Sequence, residues 1–167
     1  MAKSVFVFLI LYLLFLNSEG EGGQSIMTKA PDFALHDQYG NLFTLRQLEG
    51  HLVILIASAR EGLDNNRRWG GAVRERYQDR VYILGVADTR GIPSIMEGVV
   101  RNLFKDEEIS VLLDWKGCVF DAYGLSNGAS NIVLIDRKGV IRYIHEGEAS
   151  KKAIESLFHE MDALVSY

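Results

Sequence analysis

One cysteine, Cys118, is all the chain has, so it can hold no intramolecular disulfide and no Cys-x-x-Cys pair. That thiol is buried and inert, free and reactive, or joined to another chain. The four histidines (His36, His51, His145 and His159) are scattered, with no His-x-x-x-His spacing that would hold a metal. His145 with Glu146 and Glu148 is too local a cluster to serve as a metal site. There is no Gly-x-Ser-x-Gly, no phosphate-binding glycine loop and no dinucleotide fingerprint, so no cofactor is implied. Asn65-Asn66-Arg67 is not a glycosylation sequon. No basic stripe interrupts a net charge of −4, which gives no argument for nucleic acid. Internal repeats, low-complexity stretches and a second domain are missing as well.

What is present is enough for one domain with a proper core: 167 residues, 48% apolar and 24% charged. The first 20 residues differ in kind. Lys3 precedes an unbroken apolar run from Val5 to Leu16, followed by Asn17-Ser18-Glu19-Gly20. Such a run is short for a membrane-spanning helix but suits the core of a secretory signal, with cleavage near Gly20. The reading is export to a periplasm or the cell exterior; the alternative is an uncleaved N-terminal anchor. Residues 21–29 then read as a flexible lead-in, and residues 30–167 as the folded domain.

Leu52 to Ala57 and Val81 to Ala87 are continuous apolar runs, as strands covered on both faces require. Between them Asp64-Asn65-Asn66 offers N-cap side chains for a helix from about Arg67 to Asp79, with Asp64 as the simplest cap. Pro93 opens a second helix through Phe104, with Ile95, Val99 and Leu103 at core-facing spacing. Val111 to Leu113 is strand-like, and Val119 to Tyr123 a brief helix. Ile132–Ile135 and Val140–Ile144 flank Asp136-Arg137-Lys138-Gly139, a hairpin signal, and Ser150 caps a last amphipathic helix. The order β-α-β-α, then β-β-α, predicts an α/β sandwich whose mostly parallel sheet gains an antiparallel hairpin at its edge and a covering helix.

This order and its wording resemble the redoxin branch of the thioredoxin-like superfamily, which includes the alkyl hydroperoxide reductase/thiol-specific antioxidant (peroxiredoxin-like) family. The resemblance rests on Ala30-Pro31-Asp32-Phe33-Ala34-Leu35 with Asp37 and Gly40, Leu45-x-x-Leu48-x-Gly50, Gly85-Val86, Asp114, Asp121 to Leu125, and most of all Leu134 to Ile141. It implies a three-layer α/β/α sandwich and thiol-disulfide or peroxidase chemistry. The chemistry is where the chain departs. The two cysteines of the oxidoreductase motif would fall near Gly62 and Asn65, and the peroxidase cysteine in the same turn or the first helical residues; none is a cysteine. The cis-proline that faces them in the family is replaced by Ser130, where a trans or rebuilt loop is expected because a non-proline cis bond costs about 3 kcal/mol.

Three candidates remain. Arg60, Arg67 and Arg68, with Trp69, surround a helix N-terminus, a natural place for an anion or acidic partner; solvated arginines above an inward-packed Trp69 are the plainer reading. Asp64, Glu61 and Asp114 are possible acid-base carboxylates. Cys118, behind Lys116, is either a redox thiol or a partly buried small hydrophobe. The expectation is an exported redoxin-type protein without dithiol or peroxidase catalysis, using Arg60, Gly62, Asn65, Arg67, Arg68 and Ser130 to bind a protein partner or small anionic ligand. The alternative is a redox enzyme that uses Cys118 alone. No membrane contact is expected beyond the signal segment, and a homodimer is compatible with the pattern.

Overall fold

The computed structural model describes residues 23–59 and 62–165; the segment read as a secretory signal, Arg60 and Glu61 lie outside them. The strand Val53–Ser58 (β4) is buried throughout, as its unbroken apolar run requires. It pairs in parallel with Tyr82–Asp88 (β5), which pairs in parallel with Ser110–Asp114 (β6). On its other side β4 pairs antiparallel with Asn131–Ile135 (β7), which turns through Asp136–Gly139 into Val140–Glu146 (β8). Asp136 closes that turn by accepting from the backbone N–H of Lys138 and Val140. The hairpin is therefore not the sheet's edge. Gln24–Lys29 (β1) pairs antiparallel with β8 and gives the order β1-β8-β7-β4-β5-β6. The segment read as a flexible lead-in is thus largely a strand, and the sheet has more antiparallel than parallel pairings.

Strand alternation sorts the core. Val53, Leu55 and Ala57 face one side with Val133 and Ile135, where Cys118–Tyr123 (α3) and the single turn Leu45–Leu48 cover them. The small ribbon of Ala34–His36 (β2) and Leu42–Thr44 (β3) joins this layer. Ile54, Ile56, Ile132 and Leu134 face the other side. There Leu63–Tyr77 (α1) buries Trp69, Val73 and Tyr77, and Lys151–Val165 (α4) buries Ala153, Leu157 and Met161. Ser150 caps α4 as expected, its hydroxyl accepting from the N–H of Ala153 at 3.2 Å.

The helix after Pro93 is shorter and turned over. A single tight turn, Ser94–Met96, leads into Glu97–Leu103 (α2). Ile95 is 89% exposed, and Val99 and Leu103 are also outward; Val100 and Phe104 form the buried side instead, against Ala87, Val111 and Leu113. Helical spacing identifies a stripe but not which way it faces. Gln38, buried beneath α2, fixes the following loop: its amide donates to the carbonyls of Phe104 and Ile109 and accepts from the N–H of Val111.

Candidate functional site

The C-terminal end of β4 delivers the chain to the turn where the resemblance puts its cysteines. Gly62 caps α1 with ordinary right-handed geometry and no side-chain hydrogen bond. Ser130 faces it across the turn, as a residue in the family's proline position should. Its peptide is trans, no cis bond being present among the described residues. The turn is closed tightly. A Cβ at Gly62 would lie 2.6 Å from Ser58 Cβ and 3.2 Å from Ser130 Oγ. Even the first atom of a cysteine side chain is therefore excluded unless the turn moves.

Polar contacts hold the turn shut. Asn66 Nδ2 donates to Ser58 Oγ at 2.7 Å, and that hydroxyl donates to the Ala59 carbonyl. Asn65, where the resemblance would put the second cysteine, is a staple: Nδ2 donates to the Gly147 carbonyl at 2.9 Å and Oδ1 accepts from the Ala149 N–H at 2.8 Å. Asn131 ties the loop before β7, its amide nitrogen donating to the carbonyls of Ala57, Ser126 and Ala129. The Ser130 carbonyl accepts from the N–H of Gly147.

The arginines are present but already paired. Arg67 bridges Asp64 and Glu107, and Arg68 bridges Glu148. Asp64 is 96% exposed and forms part of that ion pair; it does not cap the helix. Trp69 packs inward as expected, its indole N–H donating to the Gly147 carbonyl. Its ring lies 5.2 Å from that of His145. His145 is 5% exposed and Nε2 has no partner, so burial pushes its pKa below the usual imidazole value.

Two features take roles that the sequence did not announce. Arg90 holds Asp88 through its Nε–Nη2 edge and also reaches Asp121 with Nη1 and Asn127 with Nη2, binding the end of β5 to α3 and to the loop before Ser130. Asp88 keeps its carboxyl below the ordinary range because Arg90 donates to it. Gly117 makes room for that side chain: it has φ 72°, and a Cβ there would lie 2.2 Å from Arg90 Cδ. The second feature is Asp114, which is fully buried and accepts from the N–H groups of Cys118, Val119 and Phe120 at 2.8, 2.7 and 3.3 Å. It caps α3, which leaves it no role as an acid or base. Cys118 itself is exposed, contrary to the partly buried reading. The N–H groups that could steady a thiolate there are all donated to Asp114. No cluster of His, Cys, Asp or Glu fit to hold a metal occurs among the described residues.

This fold is thioredoxin-like. A candidate thiol:disulfide interchange protein DsbE from Chlorobium tepidum superposes with a TM-score of 0.67 at 23% identity, over 84% of this chain and 97% of that one. A candidate protein disulfide isomerase from Bacteroides thetaiotaomicron gives 0.68 at 21%, over 87% and 94%. The exposed lipoprotein thioredoxin Etrx1 from Streptococcus pneumoniae gives 0.62 at 23%, over 78% and 99%. Identities this low establish the fold alone. No curated protein matches the sequence. Residues 73–163, more than half of the chain, match the family described as "Bacterial protein of unknown function (YtfJ_HI0045)", and the chain belongs to that family.

Proposed function

We propose that this is an exported redoxin-type protein that has given up dithiol and peroxidase catalysis and binds a protein partner at the former active-site face. The observation that carries the reading is Gly62 packed onto Ser58 and Ser130, where a redox protein needs room for sulfur and substrate. Asn65, at the second position, is committed to the loop after β8. The paired charges around the face, Arg67 with Asp64 and Arg68 with Glu148, suit a hydrated protein interface better than a free anion, which would have to displace a carboxylate. Export is supported by the apolar segment Val5 to Leu16 and by the exposed-lipoprotein description of the pneumococcal neighbour. No helix among the described residues is long and apolar enough to cross a membrane.

A photo-crosslinking residue at Asp64, on this face, tests the proposal in the native host. The expected result is a discrete heterologous adduct from position 64 and none from Glu49, which precedes β4 at the opposite end of the sheet. Identical adducts from both positions, or none from position 64, would overturn it.

One observation favours a second reading: Cys118 is solvent-exposed. A single-cysteine enzyme would cycle through a sulfenic acid or a mixed disulfide and need an external thiol to resolve it. Peroxide-dependent oxidation of Cys118 that an added thiol reverses catalytically would establish this reading.

A further inference from the structure

The helical layer on the α1 side of the sheet is parted between α1 and α2. Gly70 and Gly71 on α1 and Gly85 on β5 line the gap and put no side chain into it. The apolar cluster under α1 and α4 therefore stays separate from the one under α2. What remains is a cavity of about 570 Å³, well inside the roughly 300–1,000 Å³ typical of small-molecule sites.

Its walls are apolar, with Ile56 and Leu63 on one side and Val100, Leu103 and Phe104 on the other. Polar groups interrupt them at Ser58, Asn66, Asp88 and Thr89; Ser58 and Asp88 are engaged by neighbours, whereas Asn66 Oδ1 and Thr89 Oγ1 lack a partner. The Asn66 amide nitrogen is spent on Ser58, which leaves its carbonyl as a free acceptor. Thr89 is 2% exposed, and its hydroxyl can donate or accept. Buried polar groups are normally paired, so two orphans lining one cavity mark a place where something else supplies the partners. The mouth is acidic on balance. Arg67 and Arg74 are held by Glu107 and Glu108, and Asp106 adds a further carboxylate. An anionic head is disfavoured there.

We propose that this cavity binds a small uncharged amphipathic molecule. Its apolar body, aromatic or aliphatic, fills the space between α1 and α2. Its head carries an N–H or O–H for Asn66 Oδ1 and an oxygen or nitrogen for the Thr89 hydroxyl. This inference does not depend on the partner-binding reading, which concerns the neighbouring turn.

The test is titration of the full chain with N-phenyl-1-naphthylamine, a neutral dye with one N–H that brightens in apolar surroundings. Saturable binding of one dye per chain is expected. Gly71→Phe should weaken it at least tenfold: a Cβ at Gly71 meets nothing within 4 Å, and helices favour other residues over glycine, so the new ring fills the mouth without unfolding the chain. Gly98→Leu on α2, also in open space but off the cavity, should leave binding unchanged. 1-Naphthol should displace the dye at least tenfold better than naphthalene, and that margin should shrink in Thr89→Val. No saturable binding, or binding indifferent to Gly71→Phe, would overturn the site. Equal competition by naphthalene and 1-naphthol would overturn the assigned head group. Binding lost on charging the outer face with Ile95→Glu but kept in Gly71→Phe would put the dye outside the cavity and overturn the site too.

Discussion

Adding one methyl group at Gly62 should destabilise the fold, against the gain that restricting the unfolded chain usually brings. Gly62 has φ −86° and ψ −1°, a conformation alanine adopts freely. The unfolded chain alone therefore favours Gly62→Ala by about 0.4–1 kcal/mol. Packing decides the sign. The new Cβ would lie 2.6 Å from Ser58 Cβ and 2.7 Å from Ser58 Oγ, whereas unstrained carbons keep about 3.5–4.0 Å apart. Ser58 cannot give way, because it is buried in β4 and paired in register with Ala87. The first turn of α1 must then lift by roughly 1 Å, which breaks the Asn66–Ser58 hydrogen bond. Overpacking of this kind costs about 1–3 kcal/mol and the broken hydrogen bond about 1 kcal/mol more, so the net loss is about 1–3.5 kcal/mol. Urea unfolding of the purified chain, followed by circular dichroism, reads it as a lower midpoint at unchanged slope. Combining it with Ser58→Gly, which removes the obstructing Cβ, should recover at least about 1 kcal/mol of coupling. A Gly62→Ala variant as stable as the parent would refute the argument that this turn is closed against any side chain at position 62.

His145 is held neutral by burial, so its folded pKa lies below its unfolded one. Its stability contribution is complete above an unfolded value of about 6.5 and is lost as pH falls through the folded value. Urea midpoints should therefore drop on acidification below that point, and His145→Gln should flatten the part of the slope it causes. Asp114→Ala strands three N–H groups at the start of α3 and should cost about 2 kcal/mol or more in the same assay; a neutral result would mean that water replaces the carboxylate.

The sheet was legible where burial is two-sided, since the unbroken run Leu52 to Ala57 reads as a central strand, whereas the Ile132 to Ile135 hairpin reads as an edge until β1 is seen to pair outside it. The last helix was legible because its stripe and its cap agree. β1 was not, since Gln24–Lys29 is mostly exposed and owes its strand form to pairing with β8, which no local pattern announces. The Ile95–Val99–Leu103 stripe misled because Val100 and Phe104 offer a second face of similar spacing, and only the position of β6 chooses between them. In the site, the residues counted along the chain, Gly62 and Ser130, do meet across one turn. The count could not show that Asn65 and Trp69 both reach Gly147, or that Arg90 joins three segments, because those meetings are made by tertiary folding.

The central claim is that the site has lost its redox chemistry, and turnover tests it most directly. The purified chain and a Cys118→Ser copy should be assayed for reduction of a protein disulfide by dithiothreitol and for thiol-dependent peroxide consumption. The account predicts that both proteins remain at the uncatalysed background rate. Turnover by the parent chain that disappears in the Cys118→Ser copy would contradict it and make this a single-cysteine redox enzyme.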